Sequence, residues 1–463
     1  MIPRQRIGLA IAIAGLLAIA ALTLTPNRGA EQTSPSVCLV CGSYGGTDVL
    51  LNILLFIPFG FGLRLWGVSA RRALVVACAT SLAIELLQIQ IVVGRDASLG
   101  DLVSNSLGGW IGIALAGSWR SWLLPSASRA RGLTVGGVVV WLLVLAGSAW
   151  GARPLPTRLT YWGHWASLSG PGPLFTGKVI SALVGDAPLP WAPIANSGVL
   201  RRRLLTGAPL RATVLPGAPI DGLVPITRIT DIRRTEIIML GQQGRDLVFR
   251  MRTHASELRL RDPAVRIENI FPYSAADARD QRTSSDTLRI AGAYTGGAYR
   301  VWAVGPGIDV SRELRLGPGL GWSFLLPFSY ASGRVTLLLT ALWLGGLLLP
   351  IGFWAGRAAP ECGPRIAEDA RAASPPEAPR IAVIGMLAAA ILVGLGLIPP
   401  LFHELPVHWS SWLACTAGAG MGWGLGRLSP PAARPRMPAT TAVAADSYVD
   451  AAGDDTRDIL GRG

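Results

Sequence analysis

Apolar residues fall in long unbroken runs over most of the chain and in short alternating runs over its middle. Runs of about 20 apolar residues are long enough to cross the hydrocarbon of a bilayer as a helix. They occur at 7–25, 48–66, 73–93, 100–118, 133–151, 335–356, 381–398 and 410–426. The last two are shorter or broken by glycine. The first follows Arg4 and Arg6, as a signal peptide would, but its apolar stretch is long and its small-residue cleavage pattern weak, so it reads as an uncleaved span. Between 152 and 334 the apolar runs shorten to Leu223–Ile229, Glu236–Leu240, Asp246–Arg252, Asp286–Ile290, Tyr299–Val304 and Arg312–Leu316. Several alternate apolar with charged residues, as in Leu258-Arg259-Leu260-Arg261. Period two with Gly, Pro and Asp at the breaks predicts antiparallel strands and a sandwich.

The expected fold is therefore a polytopic α-helical membrane protein of about eight transmembrane helices with an inserted extracytoplasmic all-β sandwich. Its parts are a membrane domain at 1–151, the sandwich at 152–334, further membrane helices at 335–427 around a charged loop at 357–380, and a tail at 428–463 rich in Pro, Ala and Asp that reads as disordered. Composition agrees, with 50% hydrophobic and 15% charged residues, where a soluble chain carries about a quarter charged. Arginine orients the spans. Arg4, Arg6, Arg64, Arg71, Arg72, Arg120, Arg129, Arg131, Arg357, Arg365, Arg371, Arg380, Arg427, Arg434 and Arg436 all fall on one side if the chain crosses eight times. That side reads as cytoplasmic, with both termini, in a bacterial plasma membrane; the sandwich then lies outside. Lys178 is the only lysine, so the high pI is partly a preference for Arg coding. No basic stripe with interleaved aromatics points to nucleic acid.

Polar residues inside the spans carry the functional signal, because a carboxylate at membrane depth costs about 2.5–3.5 kcal/mol on insertion scales. Glu85 and Gln88 lie in the third run. Asp48 and Asn52 open the second, and Asp101 and Asn105 open the fourth, each pair at i, i+4 on one helix face. With alternating spans all six reach the same outer level, below Arg95 and Asp96 in the short loop. Gly60, Gly62, Gly108, Gly109 and Gly112 would let these helices approach closely.

These residues resemble a known family. Asn52-Ile53-Leu54-Leu55-Phe56-Ile57-Pro58-Phe59-Gly60 is similar to the N-x-x-x-F-x-P-x-G element of the VanZ-like family. Glu85-Leu86-Leu87-Gln88, Arg95, Asp101-Leu102-Val103-Ser104-Asn105, Gly108 and Gly112 resemble the rest of its pattern. The resemblance covers about residues 40–118. It implies a bacterial cell-envelope membrane protein, with members linked to low-level resistance to teicoplanin-type glycopeptides. Two readings of the cluster stand. In one it is a head-group site for membrane lipids or lipid-linked wall precursors: Glu85 accepts a proton or faces a cation, Arg95 clamps phosphate or carboxylate, and Asn52, Gln88 and Asn105 orient the ligand. In the other it is structural glue between helices.

Other candidates carry less. Cys38 and Cys41 form a C-x-x-C that an oxidising compartment would close as a local disulfide; it is half a zinc site and lacks a thioredoxin-like context. His403-Glu404 and His408 have the spacing H-E-x-x-x-H with Pro406 inside, which does not place two His one turn apart; a plain polar loop is expected. Gly418, Gly422 and Gly426 form a small-residue face, read as packing within the chain. The sandwich resembles, more loosely, concanavalin-like or laminin-G-like domains through Pro225–Ile229, Glu236–Gly241 and Asp246–Arg252, which implies glycan or protein binding. Tyr161, Trp162, Trp165 and Trp191 are candidates for stacking on wall glycan, for core, or for the membrane interface. No catalytic residue, metal ligand or cofactor is assigned. Oligomeric state is left open.

Overall fold

The computed structural model describes residues 3–25, 39–40, 42–90, 98–166, 174–272, 287–326, 333–358 and 378–429. The calls on Cys38, Cys41, Arg95, Asp96 and the tail lie outside them.

Helices α1 (Pro3–Thr23), α2 (Gly45–Trp66), α3 (Ala70–Gln90) and α4 (Leu99–Gly117) form an N-terminal group. A short α5 (Trp119–Leu123) leads to α6 (Ala127–Ala152). After the sandwich come α8 (Gly333–Ala358) and α9 (Ala378–Leu392). The latter continues through a π-helical turn, Val393–Leu397, and a last turn, Ile398–Leu401, where Pro399 and Pro400 supply no backbone donor. The last helix described, α10, is Trp409–Leu428. Six of these helical stretches are long and apolar enough to cross a membrane: α1, α2, α3, α6, α8 and Arg380–Leu401. The eight expected spans are thus six by this measure. The other two, α4 and α10, form as helices but are diluted by glycine, serine and tryptophan. Large apolar side chains such as Leu54, Val75, Leu86, Val140, Leu143 and Leu338 stand exposed on the helices, as lipid-facing positions of a multi-pass membrane protein do.

Glycine sets the helix contacts. A Cβ on Gly60 would lie 2.2 Å from the Gly109 carbonyl oxygen, and one on Gly112 2.1 Å from that of Ile57, so α2 and α4 meet backbone to backbone. Gly62 instead faces Ala12 of α1. The face of Gly418, Gly422 and Gly426 packs within the chain, on Gly345, Leu349 and Phe353 of α8. Such contacts suit lipid, where burial between helices gives no hydrophobic gain and close van der Waals fit must hold them.

The inserted region forms two six-stranded antiparallel sheets, β-sandwich-like. The strands are β1 (Tyr161–Trp165), β2 (Lys178–Val184), β3 (Ala187–Pro188), β4 (Pro193–Ile194), β5 (Leu210–Leu215), β6 (Ile220–Asp231), β7 (Glu236–Gly244), β8 (Asp246–Met251), β9 (Ala264–Ile267), β10 (Leu288–Thr295), β11 (Ala298–Gly305) and β12 (Ile308–Arg315), with a short helix α7 (Ser197–Leu205) before β5. Their order is β4-β1-β6-β7-β8-β9 in one sheet and β12-β11-β10-β5-β2-β3 in the other. Alternate residues such as Leu240, Phe249 and Met251 from one sheet and Val214, Ile290 and Val301 from the other share the core. Phe249 and Tyr299 meet edge to face across it at 5.4 Å, and Gly292 leaves room for the Phe249 ring. Tyr161 is wholly buried core, which removes it from the sugar-stacking candidates.

One expected strand segment is corrected. Leu258-Arg259-Leu260-Arg261 follows a 3-10 turn, His254–Leu258, instead of continuing a strand. The Thr253 hydroxyl accepts from the Ala255 N–H, and the Asp262 carboxylate accepts from the Thr253 N–H (2.8 Å), the Thr253 hydroxyl (2.7 Å) and the Ser256 hydroxyl (2.6 Å). Arg259 is left-handed, with φ +53°. These local bonds outweigh the period-two pattern.

That turn docks on the membrane helices. The Gly46 and Thr47 N–H groups, which open α2, both donate to the Arg259 carbonyl, at 3.1 and 3.3 Å. The Thr47 hydroxyl donates to the Phe324 carbonyl at 2.7 Å. Arg250 bonds Glu236 at 2.6 Å and reaches the Tyr44 hydroxyl at 3.2 Å. Burial works against its charge and Glu236 more than restores it. Arg261 lies over the Tyr44 ring, and Arg259 also donates to the Val40 carbonyl. On the other side the α6 end joins in, with the His254 N–H on the Arg153 carbonyl and the Leu155 N–H on that of Arg252.

A second junction is the loop between the Ile398–Leu401 turn and α10. Glu404, expected in a plain polar loop, lies against Gly297 and Gly317 of the sandwich. Neither of its buried carboxylate oxygens has a hydrogen-bond partner among the described residues. Burial pushes its pKa up to about 8, and Arg153 only partly opposes this.

Two outcomes follow. Gly112→Ala and Gly46→Ala place a methyl on backbone oxygen and should lower the apparent melting temperature in detergent, on the order of the 1–3 kcal/mol that overpacking costs. Gly136→Ala, which meets open space, should leave it unchanged or raised; equal losses in all three would refute the close contacts. For Glu404 the raised pKa means that folding favours the protonated acid. Its contribution is fully present below the unfolded value near 4.5 and is lost as pH rises through about 8. Glu404→Gln should therefore match the parent protein near pH 5 and exceed its melting temperature near pH 9, and a pH-independent difference would contradict the burial.

Candidate functional site

The candidate site is built by the ends of α2, α3 and α4 that face the sandwich. Alternation brings them together: α1 runs antiparallel to α2, with Gly8 beside Trp66 and Gly15 beside Phe59, while α2 and α4 run parallel, with Gly108 beside Ile53 and Gly112 beside Ile57. The start of α2 carries the sandwich contact, so the polar residues of all three helices gather at the sandwich end of the bundle.

Asn52 donates its side-chain N–H to Asp101 Oδ1 at 2.7 Å, joining α2 to α4. Ser98 caps α4: its hydroxyl accepts from the Asp101 N–H at 3.0 Å, the usual way to satisfy a free donor at a helix start. The Ser98 N–H in turn donates to Glu85 Oε2 at 2.9 Å. Asn52, Asp101, Ser98 and Glu85 thus form one bonded chain across three helices. Asn105, one turn deeper on α4, donates to the Ser81 hydroxyl of α3 at 3.0 Å. Gln88 turns to α1 and donates to the Thr23 carbonyl at 3.0 Å. Asp48 lies in the first turn of α2, one turn before Asn52. Arg95 and Asp96 are outside the described residues.

Glu85, Gln88 and Asn105 are buried, at 7%, 6% and 2% exposure. The amides are only half satisfied. Gln88 Oε1 and Asn105 Oδ1 are buried and have no hydrogen-bond partner among the described residues. An unmade bond of this kind costs roughly 1–3 kcal/mol. The arrangement is rich in acceptors, and what it can bind chemically is a group that donates: hydroxyls, amides or a cation.

The sequence pattern missed three members. Ser98 carried a legible signal, a serine three residues before Asp101 at the start of an apolar run. Ser81 stands four residues before Glu85, one turn along the same face. Thr23 contributes only a backbone carbonyl, which no sequence pattern marks.

Residues 13–120 match the VanZ/LLP1 family model. No curated protein and no solved structure matches the chain. The matched segment starts within α1 and ends in α5. It therefore holds the whole bonded chain from Asn52 to Glu85, together with Gln88 and Asn105, and stops before the sandwich. The N-terminal membrane part of this protein is thus similar to the VanZ/LLP1 family.

Proposed function

We propose that the VanZ-like helices hold the polar head group of a membrane amphiphile, a lipid or a lipid-linked wall precursor, in the outer leaflet of a bacterial plasma membrane, and that this lowers sensitivity to teicoplanin-type glycopeptides. The observation that carries the reading is the pair of open acceptors, Gln88 Oε1 and Asn105 Oδ1, buried beside a bonded chain of two carboxylates. Glue between helices would be expected to close its own bonds, since unpaired buried polar atoms are rare. Asp48, Asn52, Glu85, Gln88, Asp101 and Asn105 would receive hydroxyl, amide or ammonium donors, and Arg95 would face phosphate or carboxylate. The reading requires no chemical step, cofactor or metal. The arginine distribution, read with eight crossings, supports a position of the cluster and the sandwich outside the cytoplasm.

A second reading has its own observation. Trp162 stacks near His164 at 6.2 Å, and Trp191 meets the same ring edge-on at 6.3 Å with 42% of its surface exposed. Burial and Arg228 lower the His164 pKa, which favours a neutral ring. In that reading the sandwich binds wall glycan on this aromatic surface and the helices anchor it.

Teicoplanin sensitivity of a susceptible host expressing the full chain separates the two. Glu85→Gln removes the charge and keeps an acceptor for the Ser98 N–H, so the protein should accumulate normally while the protection is lost. Trp191→Ala should leave protection intact. The reverse pattern would support glycan binding, and protection retained in Glu85→Gln would sink the membrane site.

A further inference from the structure

A cavity lined by none of the residues of the α2–α4 cluster lies where the open edge of the sandwich meets the membrane helices. Its volume is about 400 Å³. The edge strands of the two sheets, β9 and β12, form one wall, and the starts of α8 and α10 form the other. The two walls differ in chemistry. Arg266, Arg312 and Arg315 bring three guanidinium groups from the strands, against one lining carboxylate, Glu313. Glu313 is already bonded to Arg300 and Arg315, and Arg266 pairs with Asp246. Among the described residues Arg312 donates only to its neighbour's carbonyl, that of Ser311, at 3.2 Å. The opposite wall is apolar, with Leu316, Leu337 and Val407.

Three features fix what fits. The guanidinium excess matches an anion, and the planar Arg fork suits phosphate oxygens in particular. The starts of α8 and α10, helices of 26 and 20 residues, add the partial positive ends of two helix dipoles. Directly beside the cavity the helices expose Val335, Leu338, Trp409 and Leu413, at 51%, 58%, 68% and 59%. An apolar flank with an exposed tryptophan at a span's end is what a bilayer surface covers. A soluble anion would use the arginines and leave that flank unexplained.

We infer that this junction is a binding site for a phospholipid whose head group carries a net negative charge, its phosphate held by Arg312, Arg315 and Arg266 and its acyl chains lying along α8 and α10. The sandwich is thereby seated on the membrane surface through a lipid as well as through its protein contacts.

The test uses the purified full chain and two photoreactive lipids with identical diazirine-bearing acyl chains, phosphatidylglycerol and phosphatidylcholine. Mapping the labelled peptides should place phosphatidylglycerol on residues 333–340 and 405–413 in excess over phosphatidylcholine. R312Q/R315Q should lower that labelling at least about fivefold, from roughly 1 kcal/mol per basic residue at an anionic surface. R289Q, an exposed arginine on the same sheet outside the cavity, should leave it unchanged, as should excess inorganic phosphate. Equal labelling by the two lipids, labelling unaffected by R312Q/R315Q, or displacement by inorganic phosphate would each overturn the assignment. If the double variant does not fold, R312Q alone decides, since it breaks only one bond to a neighbouring carbonyl.

Discussion

The contact on which the architecture turns is the Arg259 carbonyl at the head of α2. A helix begins with N–H groups that no residue within it can accept from, and near a membrane surface they must be answered. In α2 the second and third, on Gly46 and Thr47, are answered by the sandwich. Arg259 can present its carbonyl there because its backbone is left-handed, and the turn is held by Asp262, which gathers three donors. Gly46 is required by the same contact, because a Cβ would sit 2.0 Å from the Leu258 carbonyl oxygen. A break in the turn would therefore act at the start of the helix that carries Asp48 and Asn52.

Close helix contact does the complementary work inside the membrane. The Asn52–Asp101 bond forms at 2.7 Å because α2 and α4 approach through Gly60, Gly108, Gly109 and Gly112. With bulkier residues along that seam, this bond could not form. Polar residues and glycines on these helices are thus one device: the glycines give the distance and the polar groups use it.

Much of this was legible in the sequence. Runs of 20 apolar residues marked every long helix, because lipid tolerates only spans whose backbone is internally bonded. The i, i+4 spacing of Asp48 with Asn52 and of Asp101 with Asn105 put each pair on one face without further information. Short apolar and alternating runs marked six of the twelve described sandwich strands, β6, β7, β8, β10, β11 and β12. Alternation failed at Leu258–Arg261, where Asp262 and Thr253 offered the backbone a better set of bonds than a ladder. It also gave no sign of Glu404, since a carboxylate in a Pro-rich loop reads as solvated until a sheet is seen to cover it. Thr23 was invisible for a related reason: a partner from another helix is fixed by rotation about the helix axis, which hydropathy does not report.

The two sites read here have opposite chemistry. The α2–α4 cluster offers buried acceptors and takes donors; the junction cavity offers guanidinium groups and takes an anion. Both lie at the sandwich end of the bundle, and no local rule of helix or strand formation requires either. Acceptors placed in a dry helical interface and arginines placed on an edge strand both work against stability, the first through unmade bonds and the second through mutual repulsion.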